Sequence, residues 1–367
     1  MSAAHDRTSR TLDAASRDHA DHLWRAASSA ETAPPLFSAT SDDPLSDVLQ
    51  AIRLSGALFF MVEATSPWGV AVPHAGKFAP IILPRSRHVV SYHIVIDGEG
   101  WARIPGVEPT RFEAGDVLVF PHADPYAMLS VPDGSPELGE EESMLFFREM
   151  AAGKLPFVVE EGGGGPLHAT YVCGFLGCDL QPFNPLLTAL PRFMHVRRPG
   201  AGDMLDKLIG LTLKEASRSR QGGESVRLKL SELIFVEVLR RYLAALPEGQ
   251  TGWFAGLRDP AVGRALTCLH AEPSRAWSLG ELAGEANVSR TVLAARFTQL
   301  LGCPPMRYLR RWRMQRAARL LCDGSQKIAA VAHEAGYESE AAFSRAFKRF
   351  AGTAPTAWRL ENGTTAS

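Results

Sequence analysis

The sequence has few cysteines, almost no net charge and no long apolar run. Five cysteines lie scattered over 367 residues, and an odd, dispersed set of thiols argues against the disulfide framework of a small secreted domain. No stretch reaches the roughly 18 consecutive apolar residues that a spanning helix requires, and the opening MSAAHDRTSRTLDAASRDHADHLWR contains no apolar signal segment. A cytoplasmic protein with no membrane partner is the expectation. Disorder throughout is excluded by 46% hydrophobic against 22% charged residues, and 367 residues suffice for two domains with separate cores.

The formal net charge of −1 conceals an uneven distribution. Between Phe254 and Arg359 there are 16 Lys and Arg against 8 Asp and Glu, which leaves 23 against 32 in the remainder. A basic domain joined to an acidic one points to a polyanionic partner for the basic part. Solvated Arg-rich helix faces are the plainer alternative.

Composition divides the chain further. Residues 1–42 are rich in Ala, Ser, Asp and Thr without a sustained apolar period and are expected to be a flexible extension. LSDVLQAIRL then has a short helix's spacing. GALFFMVEA, WGVAV, FAPIILP, HVVSYHIVIDG, GWARIPG, TRFEAGDVLVFP and YAMLSV follow as brief strand-like runs between Gly, Pro and Asp. EEGGGGPLHA is expected to be a loop and TYVCGFLGCD one more strand. Many short strands with tight turns imply a sandwich or barrel. NPLLTALPRFMHV, DMLDKLIGLTLKEASRS and VRLKLSELIFVEVLRRYLAAL show helical spacing, and residues 248–257 are expected to be a linker.

Beyond the linker lies an internal repeat. Ala283, Glu285, Ala286 and Val288 recur as Ala332, Glu334, Ala335 and Tyr337, with Asn287 answered by Gly336. After one inserted residue, Ser289, Leu293, Phe297, Gly302 and Pro305 recur as Ser339, Phe343, Phe347, Gly352 and Pro355. Each copy reads as a helix, a turn of about four residues and a second helix packed by i and i+4 residues, the helix-turn-helix pattern. A generic helical hairpin fits less well, because both copies share the turn and each second helix is basic.

The segment from WSLGELAGEANVSRTVLAARF through PMRYLRRWRM to GYESEAAFSRAFKR resembles the DNA-binding domain of AraC/XylS-type bacterial transcriptional regulators. Upstream, GEGWARIPG, FEAGDVLVFP and NPLLTALPRFMHV resemble the cupin-type N-terminal domain of one branch of that family. The resemblance implies an α+β multidomain chain. A cupin-like barrel with flanking helices would occupy 43–198, a helical dimerisation or packing region 199–247, and an all-α double helix-turn-helix domain 258–360. It also implies double-stranded promoter DNA, a small-molecule effector, RNA polymerase and a second copy of the chain as partners, with no catalytic role. A metal-dependent cupin enzyme with a DNA-binding tail and a thiol-based redox regulator are the alternatives.

Within the second unit, Phe343 and Phe347 take the buried stripe, so Glu340, Ala341, Ser344, Arg345 and Lys348 are assigned to the DNA face. Arg345 is best placed for a bidentate contact with guanine. In the first unit Ala294 and Ala295 occupy the corresponding positions to Ser344 and Arg345, leaving Arg290, Thr291 and Arg296 as polar candidates beside them. Base reading there is expected to be weaker, with shape and phosphate contacts weighing more. Arg310, Arg311 and Arg313, on a helix long enough to carry both units, are expected at phosphates.

In the barrel, the positions matching the cupin metal motif are Ser91, His93, Asp97 and Tyr126, a poor ligand set even if His88 or His122 substituted. No cofactor is therefore expected. His93, Trp101, Phe120 and Tyr126 are instead assigned to an effector pocket, having the aromatic walls and few polar tips that such pockets show. Cys173 and Cys178 invite a thiol switch. On a regular strand, however, residues five apart point to opposite faces and lie roughly 16 Å apart, too far for a disulfide.

Overall fold

The computed structural model describes residues 43–363 except 52–53, 85, 87, 179–182, 198–202, 217–220, 248 and 325. The expected extension at 1–42 lies outside the described residues. The apolar runs punctuated by Gly and Pro form β1 (Leu54–Thr65), β2 (Gly69–Val72), β3 (His88–Arg103), β4 (Thr110–Glu113), β5 (Val117–Phe120), β6 (Tyr126–Leu129), β7 (Val158–Gly162), β8 (His168–Cys178) and β9 (Met194–Val196). The strands pair in the order β2-β6-β3-β8-β1-β7, with β4 and β5 on β3, and β9 on β5.

The sheet curls because β3 serves it twice. Its first half pairs with β5 along one edge and β8 along the other, and its far end pairs with β4 and β6. Between the halves a bulge at Val95/Asp97 breaks the register, which bends a strand and increases its twist. Gly98 follows the bulge at φ 77°, and a Cβ there would stand 2.0 Å from the His168 carbonyl oxygen. Only glycine fits this pass.

The concave face buries Phe60, Val62, Phe112, Tyr171 and Phe175. Its opening is covered by α2 (Ala75–Ile82) and α3 (Glu140–Ala151), whose Phe78 and Phe147 rings stack at 4.3 Å. FAPIILP is thus helical and not a strand. The side chain of His74 accepts the Gly76 N–H to cap the helix, and burial of Phe78 and Ala79 outweighs the strand propensity of the run. The loop expected at EEGGGGPLHA also begins as strand, since Val158–Gly162 pairs parallel with Met61–Thr65.

The convex face, with Val90, Tyr92, Ile94, Val172 and Leu176, shares a core with α5 (Met204–Ala216) and α6 (Gly223–Ala245). The Tyr92 hydroxyl reaches Ser231 Oγ at 3.0 Å and ties sheet to helix. Leu205, Leu208, Leu230, Ile234 and Val238 are buried there, whereas Leu211 and Leu233 are each 52% exposed. The two apolar stripes therefore serve packing first. NPLLTALPRFMHV divides into α4 (Pro185–Ala189) and strand β9, because Pro191 stops the helix and Met194–Val196 pairs with β5.

The remaining helices are α1 (Pro44–Ala51), α7 (Trp253–Arg258), α8 (Pro260–Ala271), α9 (Leu279–Glu285), α10 (Arg290–Leu301), α11 (Pro305–Asp323), α12 (Ile328–Glu334), α13 (Glu340–Ala351) and α14 (Pro355–Asn362). The expected linker ends early, since Trp253 and Phe254 are buried in α7. Helix α11 belongs to two cores. Its Tyr308, Leu309 and Trp312 join the core that includes the convex face of the sheet, and its Met314, Ala317, Ala318 and Leu321 join a separate one with α12, α13 and α14.

Candidate functional site

The turn and the second-helix caps of the repeat are the same in both units. In the first unit Val288 N–H donates to Ala283 O at 3.0 Å, and in the second Tyr337 N–H donates to Ala332 O at 3.0 Å. Both bonds close a turn whose preceding residue is left-handed, Asn287 at φ 53° and Gly336 at φ 76°. Asn and Gly are the residues that tolerate this conformation. Ser289 and Ser339 then cap α10 and α13, accepting from Val292 N–H and Ala342 N–H at 3.2 Å each. Gly302 and Gly352 end the two helices in the same left-handed way.

The exposed face of α13 carries Glu340, Ala341, Arg345, Lys348 and Arg349, with Ser344 half-buried, because Phe343 and Phe347 are fully buried beneath. On α10 the exposed residues are Arg290, Thr291, Val292, Ala295, Arg296, Thr298 and Gln299, with Ala294 half-buried. Arg296 lies 3.1 Å from Asp259 and forms an ion pair with it.

The linking helix differs from expectation. Arg310 is exposed, but Arg311 lies over the Phe183 ring at 4.0 Å, a cation–π contact with the strand-bearing part of the chain. Arg313 donates to the carbonyls of Pro273 and Arg275 at 2.6 and 2.7 Å, and its guanidinium crosses Gly336, where a Cβ would stand 2.9 Å from Nη1. Both residues make contacts within the fold, Arg313 half-buried and Arg311 while still exposed. The Ser274 hydroxyl adds a second tie, donating to Glu334 O at 2.6 Å. The two units are thus fixed to each other by Arg313 and Ser274 as well as by α11.

Inside the curled sheet, His93 is the centre of a neutral polar cluster. Its Nε2 lies 2.8 Å from the Tyr126 hydroxyl and its Nδ1 3.2 Å from Cys173 Sγ. Burial pushes the imidazole down to about 3 and holds the Tyr126 phenol and Cys173 thiol well above their ordinary values. Phe120 and Tyr126 stack at 3.6 Å behind it. In front is a cavity of about 40 Å³ lined by His93, Phe60, Phe146, Phe175, Tyr171 and Glu161 among others. Glu161 Oε2 is buried without a hydrogen-bond partner. Burial, and secondarily the nearby Glu137 carboxylate, raise this group to about 7.

Of the four residues assigned to the pocket, only His93 lines this cavity; Phe120 and Tyr126 support it from behind. Trp101 does not belong to the site. The bulge reverses the alternation of β3, so Ala102 and Ile104 face the interior and Trp101 turns out, half-buried. The residues matching a cupin metal motif do not form a ligand set. Asp97 is exposed and bonded to His168 at 2.9 Å, while His88 and His122 contact the carbonyls of Pro121 and Leu190 at 2.6 and 3.0 Å. Both His93 nitrogens are occupied by Tyr126 and Cys173. Among the described residues no three His, Cys, Asp or Glu side chains are grouped to hold a metal ion. Cys173 and Cys178 stand on opposite faces of an unbroken β8, Cys173 in the concave core and Cys178 in the convex one.

Comparison with known proteins agrees with both halves of this architecture. Residues 43–244 match the family described as Cupin, and residues 282–361 match the helix-turn-helix domain family. An AraC-like transcription regulator of Streptomyces lividans is 33% identical over 86% of this chain and 98% of its own length. The chain belongs to the AraC family of transcriptional regulators. The HTH-type transcriptional regulator AlkR of Acinetobacter baylyi is 25% identical over 87% of this chain and all of its own length. The DNA-binding domain of AdpA, solved in complex with a target DNA, is 28% identical over 28% of this chain and 92% of that one, with a TM-score of 0.27. In this AraC-type protein, α10 and α13 are accordingly the helices that follow the turns of two helix-turn-helix units. No described helix is long and apolar enough to cross a membrane.

What the sequence missed is concentrated around the cavity. Glu161, Phe146 and Phe147 were not assigned to it, although Val159 and Glu161 alternate in FVVEE as one face of a strand does. Helix α3, EEESMLFFREMA, carries its own signal in three glutamates at the N-terminal end and an arginine at the C-terminal end.

Proposed function

We propose that this AraC-type protein is a cytoplasmic, homodimeric, effector-controlled regulator that reads promoter DNA with both helix-turn-helix units and acts on RNA polymerase rather than as an enzyme. The observation that carries the reading is the pair of units with matching turns and caps on one linking helix. The 19-residue α11 spans about 28 Å at 1.5 Å per residue, close to the roughly 34 Å that separates successive major-groove turns on one face of DNA. In this reading Arg345 contacts a guanine, with Glu340, Ala341, Ser344 and Lys348 around it. Arg290, Thr291, Ala294 and Ala295 meet the groove in the first half-site, and Arg310 meets a phosphate. Arg296 contributes only if it leaves Asp259.

The effector is assigned to the cavity in front of His93, and no cofactor is required there. A redox role for Cys173 and Cys178 is not favoured: the first thiol is fully buried with a raised pKa, and the pair lies on opposite faces. Selection of bound sequences from random DNA, followed by hydroxyl-radical footprinting, tests the reading. Two protected patches on one face of the duplex, about one helical turn apart, are expected. A single patch, or protection without sequence preference, would refute it. Sedimentation of the purified chain tests the dimer.

A further inference from the structure

The cavity beneath α3 is almost wholly apolar, and one charged group projects into it. Phe60, Phe146, Phe175 and Tyr171 form its aromatic wall, and Leu138 also lines it. Glu161 enters from the edge strand β7, where Ala64 of β1 is its register partner. Its Oε2 is buried and has no hydrogen-bond partner. Glu161 as a whole is half-buried, and a carboxyl oxygen buried without a donor carries a desolvation cost that a ligand, a water or an ion can meet.

The neighbours of Glu161 supply no positive charge. His93, fully buried, is neutral, and its two nitrogens are already occupied by Tyr126 and Cys173. Tyr171 and Cys173 are neutral for the same reason. The one other carboxylate that acts on Glu161, that of Glu137, is exposed and adds negative potential. An anionic ligand would be repelled here, and a purely apolar one would leave the carboxyl group unpaired.

We infer that the effector taken by this cavity is a compact amine, whose ammonium group pairs with Glu161 while its hydrocarbon portion packs against Phe60, Phe146 and Phe175. This inference rests on the effector-pocket reading and names the ligand's chemical class. The ammonium donates hydrogen bonds to Glu161, and the aromatic faces that flank it are suited to a cation. About 40 Å³ leaves room for two or three water-sized groups. A small alkylamine fits the cavity as it stands. Because burial and Glu137 hold Glu161 near neutrality at about 7, amine affinity rises as the pH is raised from about 5.5 to 8.

The test is a calorimetric titration of the full chain with isobutylamine, benzylamine and phenethylamine beside the neutral isosteres isobutanol, benzyl alcohol and phenethyl alcohol. The protein is used as wild type, Glu161→Gln and Phe146→Ala, and each titration is run at pH 6 and pH 8. Amines are expected to bind the wild type at least tenfold more tightly than the alcohols at pH 8. In Glu161→Gln that preference disappears while alcohol binding is unchanged. Equal binding of amines and alcohols to the wild type, or an amine preference that survives Glu161→Gln, overturns the inference and leaves the pocket reading in place. If neither series binds the wild type or the enlarged Phe146→Ala cavity, both fall. Circular dichroism of each variant separates lost binding from lost structure.

Discussion

Single residues decide most of the chemistry, and Glu161 is the most exposed to test. Its folded pKa of about 7 exceeds the ordinary carboxylate value of 4.5, so between those values the native state holds a proton that the unfolded state has lost. Stability therefore falls as pH rises through that window and stays low above it. Glu161→Gln is expected to stabilise the unliganded protein at pH 8 by on the order of 1 to 3 kcal/mol and to have little effect at pH 4.5. Urea unfolding at the two pH values measures this, and an equal effect at both would contradict the assignment. On the DNA side, Arg345→Ala should cost about 1 to 3 kcal/mol on the selected site and relax one base position, whereas Arg310→Ala should weaken all sequences alike and reduce the salt slope by about one unit. Arg311→Ala should leave the salt slope unchanged and lower the melting temperature, because its guanidinium rests on Phe183. A uniform loss of DNA affinity in that variant would place Arg311 at the phosphates.

At the scale of elements, the helix-turn-helix units were legible in the sequence and the cavity was not, for physical reasons that particular residues display. The turns at Asn287 and Gly336, the caps at Ser289 and Ser339 and the buried i, i+4 pair Phe343 and Phe347 are local features that spacing alone reveals. The cavity depends on partners distant in sequence. Glu161 is placed by parallel pairing with β1, and Trp101 was misassigned because one bulged residue reversed the parity of β3. The helical state of FAPIILP likewise follows from the stack of Phe78 on Phe147 of α3, which no local propensity announces. A prediction belongs to this scale. Gly336→Ala meets both a left-handed backbone and the Arg313 guanidinium, and should destabilise the second unit by about 1 to 3 kcal/mol. Asn287→Gly, at the equivalent turn, should change stability by less than about 1 kcal/mol. Paired urea denaturation curves compare them, and similar losses in both would mean that Arg313 contributes nothing at the turn.

Over the whole molecule, the core boundaries do not follow the boundary suggested by composition. One continuous core runs from the convex face of the sheet through α5, α6 and α7 into the first helix-turn-helix unit. The seam includes Phe183 N–H donating to Gln315 Oε1 at 2.8 Å and Asp47 of α1 (Pro44–Ala51) lying 3.7 Å from His270. Burial holds His270 down to about 3 and Asp47 up to about 6, so the histidine is neutral at pH 7 and the contact is not an ion pair. The second unit keeps its own core. Native-state hydrogen exchange should therefore show amides of Leu266 and Phe297 opening together with those of β8, and amides of Val331 and Phe343 opening independently and at lower free energy. One common opening free energy for both units would contradict the division.

That shared core also determines where the chain tolerates recombination. A chimera joined within residues 248–257, where composition suggests a seam, would give the first helix-turn-helix unit an unrelated surface in place of Phe183, Asp47 and the end of α6, and would inherit two half-interfaces that were never fitted to each other. A junction within α11 between Trp312 and Met314 falls between the cores instead, because Met314, Ala317, Ala318 and Leu321 pack with α12, α13 and α14. The interchangeable part of this protein is the second half of α11 together with α12, α13 and α14, and a graft that brings a new half-site preference has to keep the Gly336 and Glu334 positions that Arg313 and Ser274 meet.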